Sequence, residues 1–166
     1  MSSFAPTAPS LDQPSAPERP LGGYAALTSV FLSAAAGFAT WLARSGRQLP
    51  ERVAAPDIAL LGVATHKASR LLAKDRVTSA VRAPFTDFQE DGGPSEVEER
   101  ARGTGLRRAV GELLICPFCL GLWIAAAFTA GLIVAPRQTR WLASVLVIVA
   151  GADVLQIAYV KLEHTL

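Results

Sequence analysis

The longest uncharged stretch of the chain constrains its fold more than any other feature. Leu21 to Ala43, LGGYAALTSVFLSAAAGFATWLA, runs for 23 residues without a charged side chain. At about 1.5 Å per residue, a helix of this length crosses the roughly 30 Å hydrocarbon core of a bilayer. Tyr24 and Trp41 lie near its two ends, where amphipathic rings favour the headgroup region. We therefore predict a membrane-spanning helix at about residues 21–43.

Two more crossings are predicted in the last third of the chain. Residues 117–135 are uncharged and mostly apolar, and residues 141–160 carry Asp153 as their only charge. Pro117 would lie in the first turn of its helix, where proline is tolerated, and Pro136 would end that helix.

A fourth segment, at about residues 53–73, is harder to assign. Its first twelve residues are apolar except for Asp57, which is too short a run to span a bilayer. Its second half carries His66, Arg70 and Lys74 at i, i+4 and i+8, on one helical face. We expect a helix whose second half leaves the membrane, and whether its first half spans stays open. The predicted fold is an all-α integral membrane bundle of three or four transmembrane helices with a cytoplasmic loop at about 74–110.

The composition agrees with a membrane protein and argues against a large soluble core. The chain is 51% hydrophobic and 18% charged, against roughly 25% charged residues in typical soluble domains. A net charge of +2 gives no indication of nucleic-acid binding. Residues 1–20 contain five prolines and no signal-peptide pattern, so we expect a disordered cytoplasmic tail ahead of a membrane domain at 21–166.

The distribution of lysine and arginine predicts the orientation. With four crossings, eleven of the sixteen basic residues lie on the side of the tail, the 74–110 loop and the C-terminus. Loops on the cytoplasmic side of a membrane carry an excess of Lys and Arg. With three crossings only the tail changes sides. Both arrangements predict a multi-pass protein of the cell (cytoplasmic) membrane whose long loop and C-terminus are cytoplasmic.

The long polar loop contains turn signals and one predicted helix. Gly92, Gly93 and Pro94 indicate a turn. Ser95 is followed three residues later by Glu98, a spacing typical of a helix N-cap, so a short helix is expected here.

The only two cysteines, Cys116 and Cys119, form a CPFC motif at the start of the predicted helix 117–135. CPFC resembles the active-site turn of glutaredoxins, and a helix N-terminus favours thiolate, so a redox pair with Cys116 as nucleophile and Cys119 as resolver is one interpretation. A second is half of a zinc site, which would need further ligands such as His66 or His164, the only histidines. A third is that both pack as small apolar side chains and stay reduced in the cytoplasm. The residues alone leave all three open.

Two groups of polar side chains near the membrane are further candidate sites. Asp153 and Gln156 share a helix face, and we expect His66 or Arg70 to be the partner of Asp153. One interpretation is that Asp153 takes part in ion transport, and the other is that it forms a structural pair between helices. A basic cluster beside the flexible RGTGLRR stretch is a candidate site for an anion or for anionic lipid headgroups. The alternative interpretation is that these residues are only the usual excess of positive charge on the cytoplasmic side. That cluster contains His66, Lys67, Arg70, Lys74, Arg82, Arg107 and Arg108.

From Ala64 onward the chain resembles a bacterial membrane family known as domain of unknown function thirteen-sixty, some members of which are labelled sporulation proteins. The resemblance is carried by THKASRLLAKDRVTSAVRAPF, by EVEERARGTGLRRAVGELLICPFCLGLWIA and by a final apolar helix, over roughly 100 residues. It implies no activity. It places these residues on family motif positions: His66, Arg70, Asp75, Arg82, Glu112, Cys116, Cys119 and Trp123.

Three functions are compatible with the sequence. The leading one is a non-enzymatic membrane component whose cytoplasmic loop and CPFC turn form an interaction surface or a metal-stabilised one, with zinc as the possible metal. The alternatives are a membrane thiol oxidoreductase using Cys116 and Cys119, and a small transporter or ion-coupled subunit using Asp153. The expected partners are the lipid bilayer, anionic headgroups, and a second copy or another membrane protein, with no nucleic acid.

Overall fold

The computed structural model describes residues 19–47 and 49–163, and most of them are helical. The predicted all-α membrane bundle is confirmed, with a small hairpin added to its loop. Most of the predicted tail, residues 1–18, and His164 lie outside the described residues. The elements are α1 Leu21–Arg44, α2 Ala55–Lys74, α3 Ser79–Arg82, β1 Thr86–Asp91, β2 Val97–Ala101, α4 Gly105–Leu114, α5 Pro117–Val134 and α6 Pro136–Glu163.

Three of these helices, α1, α5 and α6, are long and apolar enough to cross a membrane. Their outward faces are apolar, as at Val30, Ile148 and Leu155. A surface of this kind is more stable in lipid than in water, because apolar side chains in contact with lipid tails carry no hydrophobic cost.

The turn between α5 and α6 is shorter than the sequence predicts. Helix α6 begins at Pro136, so Ala135 alone separates the two helices. Proline fits the first turn of a helix as well as the position after one, which is why Pro136 starts α6 here. The two helices approach closely at Gly131, where an added Cβ would lie 2.6 Å from the Thr139 Oγ1 atom.

Helix α2 lies between α5 and α6 and completes the core of the bundle. The buried cluster consists of Leu61 and Ala64 of α2, Phe128 of α5 and Ala143 of α6. Ala64 and Ala143 are fully buried. Small side chains at such positions let neighbouring helix backbones approach closely, which is how helices associate without a hydrophobic driving force.

The ion pairs of α2 fix the direction in which it runs. Asp57 pairs with Arg140 at 2.8 Å, and ten residues later Lys67 pairs with Asp153 at 2.7 Å, so α2 and α6 are parallel. Thr65 lies beside Gly121 near the start of α5, and Asp57 lines a cavity with Leu132 near its end, so α2 and α5 are antiparallel. Helix α2 is not among the three helices that are apolar enough to cross a membrane by themselves. It nevertheless runs from one end of the bundle to the other, as a fourth crossing would.

The polar loop folds into a small unit that we call the cap, residues 75–114. It contains α3, the antiparallel hairpin β1–β2 and α4, and the register pairs Thr86 with Ala101 and Asp91 with Val97. The helix predicted to follow Ser95 is wrong. Ser95 has a φ of +63°, so it lies in the hairpin turn, and β1 supplies the backbone partners that make the following residues a strand.

A buried arginine joins the cap to the end of α2. The Arg82 guanidinium pairs with the Glu99 carboxylate at 2.6 Å, and both side chains are almost fully buried. It also donates to the carbonyl oxygens of Leu72 at 2.7 Å and Asp75 at 3.0 Å. The last carbonyls of a helix lack intrahelical donors, so Arg82 satisfies the end of α2 while holding β2 against it.

Replacing Arg82 with alanine should unfold or loosen the cap. The change leaves the buried Glu99 carboxylate without its cationic partner and with only the Thr86 hydroxyl as a donor, at an expected cost of about 3–5 kcal/mol. Thermal unfolding in detergent and limited proteolysis of residues 75–114 would measure it. The matched control is Arg76→Ala, which breaks the exposed pair with Asp91 and should cost no more than about 1 kcal/mol. Equal effects of the two substitutions would contradict the role given to Arg82.

Candidate functional site

The first turn of α1 lies in direct contact with α4 of the cap. A Cβ added to Gly23 would lie 2.6 Å from the Ala109 Cβ and 2.9 Å from the Gly105 carbonyl oxygen. Any side chain at position 23 would force the two helices apart. Glycine at this position therefore allows the membrane helix and the cap helix to pack backbone to backbone.

A polar cluster follows directly after this contact. The Tyr24 hydroxyl donates to one carboxylate oxygen of Glu112, and the Arg108 Nε donates to the other at 2.9 Å. Partial burial opposes ionisation of Glu112, but the hydrogen bonds from Tyr24 and Arg108 outweigh it, so the pKa of Glu112 is lowered from its ordinary value. Glu112 is thus an ionised acceptor held between the membrane helix α1 and the cap.

The two cysteines meet at the start of α5. Cys116 and Cys119 form a disulfide, and Cys116 is also the N-cap of the helix, its Sγ accepting a hydrogen bond from the Cys119 amide at 3.2 Å. Pro117 fills the first helical position, where its missing N–H costs nothing. Cys119 is exposed, and the neighbouring Phe118 side chain is 93% exposed. Of the two cysteines, Cys119 is therefore the one open to a reagent from outside the fold.

A cavity of about 380 Å³ lies between α1, α4 and α5 and is mainly apolar. Tyr24 and Glu112 line one end and Phe31 and Trp123 the other, with Cys119 in the wall between them. The Phe31 and Trp123 rings meet edge to face, with centroids 5.1 Å apart. Cavities of this size with a few convergent polar groups are the usual sites for small molecules. This cavity is the candidate functional site.

Asp153 has a partner in α2, but not one of those expected. Lys67 Nζ lies 2.7 Å from the Asp153 carboxylate, whereas His66 is exposed and Arg70 pairs with Glu96. Thr65 is level with Gly121. Lys67 lies about 3 Å further along α2, so the pair is level with the first turn of α5 rather than the middle of the bundle. An ion pair at this depth costs less than one at the bilayer centre. Gln156 lies one turn further along α6 and is exposed.

The basic cluster of α2 and the cap is neutralised mainly by acidic residues of the hairpin. Arg70 contacts both carboxylate oxygens of Glu96, at 2.5 and 2.7 Å, and Lys74 contacts Glu98 at 2.7 Å. Arg107 donates to the Pro84 carbonyl at 2.7 Å. The structure thus brings the predicted cluster together but gives these side chains internal partners, and anion or headgroup binding there stays a prediction.

The metal interpretation gains no further ligand from the structure. Within residues 19–47 and 49–163, no group of three His, Cys, Asp or Glu side chains lies close enough to hold a metal ion. The disulfide sulfurs are not thiolates, and zinc binds thiolates. Zinc binding would therefore require the reduced pair and ligands from elsewhere.

Comparison with known proteins identifies the family. A model described as "Protein of unknown function (DUF1360)" matches residues 60–159, more than half of the chain. The chain belongs to the DUF1360 family. It is 32% identical over 102 residues to "Sporulation protein YjcA" of Bacillus subtilis (strain 168), covering 60% of this chain and 86% of that protein. No solved structure matches the chain significantly.

The DUF1360 match covers only part of the candidate site. Residues 60–159 include Glu112, Cys119 and Trp123, but the α1 side of the cavity, with Tyr24 and Phe31, lies before the matched region. The family resemblance thus agrees with the matched family, and α1, which completes the cavity, lies outside the matched residues.

Sequence reasoning missed the cavity and the Tyr24–Glu112 contact. Both depend on α1 lying against α4, elements about 80 residues apart in the chain. The sequence signal for the packing of α1 on α4 is Gly23, next to Tyr24 at the predicted membrane boundary, because glycine permits two helices to approach closely.

The Glu112 cluster should make stability depend on pH. Because the folded pKa of Glu112 is lowered, its contribution is complete above the ordinary pKa of 4.5 and is lost as pH falls through the folded value. We expect Glu112→Gln to lower the thermal midpoint in detergent near pH 7, and the difference from wild type to shrink as pH falls below about 4.5. Glu90→Gln, at an exposed strand position, is the control. A difference that does not change with pH would rule out this contribution.

Proposed function

We propose that the protein is a multi-pass component of the cell membrane with the cap, the CPFC turn and the end of α6 on the cytoplasmic side. The folded arrangement supports this orientation, because the start of α1, the end of α2, the start of α5 and the cap share one end of the bundle. Eleven of the sixteen Lys and Arg residues belong to that end. An excess of basic residues of this kind favours the cytoplasmic side.

A topology experiment would test the orientation. In a Cys116→Ser/Cys119→Ser background, a single cysteine is introduced either at Leu49, which is exposed in the link between α1 and α2, or at Glu90 in the cap. A membrane-impermeant maleimide should label L49C in intact cells and E90C only after permeabilisation. The reverse pattern would place the cap outside the cytoplasm.

The cap is proposed to be an interaction surface for another protein, a role that needs no reaction by the chain itself. The observation that carries this proposal is a set of exposed apolar side chains on a cap rich in internal ion pairs. Val77 is 90% exposed, Val81 64%, Phe88 61% and Leu106 55%. A contiguous exposed apolar patch marks a contact site, and we propose that Val77 and Val81, four residues apart, form its centre.

Photo-crosslinking in cells tests the interaction role. A benzoylphenylalanine at position 77 or 81 should give a discrete product larger than the monomer, and the same group at Gln89, an exposed polar residue of β1, should give none. A product of twice the monomer mass would identify a second copy as the partner. Adducts with lipid alone, or equal products from Gln89, would reject a protein partner.

Thiol–disulfide chemistry is a second candidate function, favoured by one observation. Cys119, which forms a disulfide with Cys116, lines an apolar cavity and is also exposed. A cysteine that serves only to pack is usually buried. Acid quenching and alkylation of cells should then trap both the reduced and the oxidised form, in proportions that shift with added oxidant.

A further inference from the structure

The cavity between α1, α4 and α5 combines three properties that the proposed interaction role does not use. It is mainly apolar, its wall includes Cys119 of the disulfide, and its polar end holds the Tyr24 hydroxyl and the Glu112 carboxylate. Leu122 at its rim is exposed on the outer surface of α5. A molecule dissolved in the bilayer could therefore enter from the side without crossing the cap.

We propose that this cavity binds a membrane-soluble quinone, and that the quinone oxidises the reduced Cys116–Cys119 pair. The proposal rests on the second candidate function, thiol–disulfide chemistry, and names its electron acceptor. A volume of about 380 Å³ is within the range of small-molecule sites and admits a quinone ring with the beginning of its tail. Phe31 and Trp123 supply aromatic edges and faces for a flat ring.

The polar end of the cavity suits both oxidation states of a quinone ring. A quinone carbonyl accepts hydrogen bonds, and the Tyr24 hydroxyl would donate to it in place of the Glu112 carboxylate. A hydroquinone hydroxyl donates them, and the Glu112 carboxylate accepts, held in place by Arg108 at 2.9 Å. Tyr24 and Glu112 are therefore assigned as positioning residues for the ring.

The reaction balances without any other oxidant. The two thiols lose two electrons and two protons as the S–S bond forms, and the quinone gains them as two O–H bonds, becoming the hydroquinone. In the reduced pair, the Cys119 amide that lies 3.2 Å from the Cys116 Sγ would stabilise a Cys116 thiolate.

A soluble dithiol protein would reduce the disulfide again by thiol–disulfide exchange at the exposed Cys119. The chain contains no second cysteine pair to serve as that donor. Electrons would thus pass from a water-soluble thiol to the lipid phase through a single disulfide at the boundary between them.

The test uses the full chain in lipid nanodiscs, reduced and freed of reductant, with decylubiquinone as the probe. The ring of this quinone is fully substituted, so it cannot simply add a thiol. We expect one hydroquinone per protein and the loss of both thiols, with no reaction in Cys119→Ser. Thr28→Trp, which fills the cavity, should slow the reaction by roughly tenfold or more. Ser29→Trp, which is next along α1 but outside the cavity lining, should not.

A second oxidant separates the two proposals. Glutathione disulfide reaches the pair from water, so it should oxidise wild type and Thr28→Trp at equal rates. Oxidation by glutathione disulfide but not by the quinone would overturn the quinone site and leave thiol–disulfide chemistry standing. Oxidation to the Cys116–Cys119 disulfide by neither reagent would overturn both. Equal quinone rates for the two tryptophan variants, each with an unchanged thermal midpoint, would place the reaction outside this cavity.

Discussion

The charged second half of α2 determines how the rest of the protein is arranged. Lys67, Arg70 and Lys74 follow directly from an apolar half that packs in the bundle core. Cations at a membrane boundary are costly unless they reach water or an anion. Each finds a carboxylate: Lys67 on α6, and Arg70 and Lys74 on the hairpin. The pairing places both the last helix and the cap.

The cap in turn positions the CPFC turn. Helix α4 packs on the hairpin at Gly111, where an added Cβ would lie 2.5 Å from the Phe85 carbonyl oxygen, and on α1 at Gly23. Its C-terminal end leads within two residues to α5. The disulfide therefore lies where the cap meets the start of α5, and the cavity lies beside it between α1, α4 and α5.

The features that the sequence predicted are those set by local pattern. Long uncharged runs identified α1, α5 and α6 because apolar length alone decides whether a helix suits a bilayer. The partner of Asp153 was missed because the register of α2 against α6 places Lys67, not His66 or Arg70, beside it. A local capping signal predicts a helix at Val97–Ala101. Pairing with Thr86–Asp91 overrides that signal and makes the segment a strand. Contacts that join distant segments leave little local signal, and the candidate site is made of such contacts.

The single-residue connection at Ala135 bears on how the chain enters the bilayer. Helices α5 and α6 form an antiparallel pair whose far-side turn contains almost no polypeptide, and Gly131 lets them touch at Thr139 next to that turn. Insertion of such a pair carries no hydrophilic domain across the hydrocarbon, only Arg137 and Arg140 at its tip. Two apolar helices joined this closely are expected to enter the bilayer together as one helical hairpin.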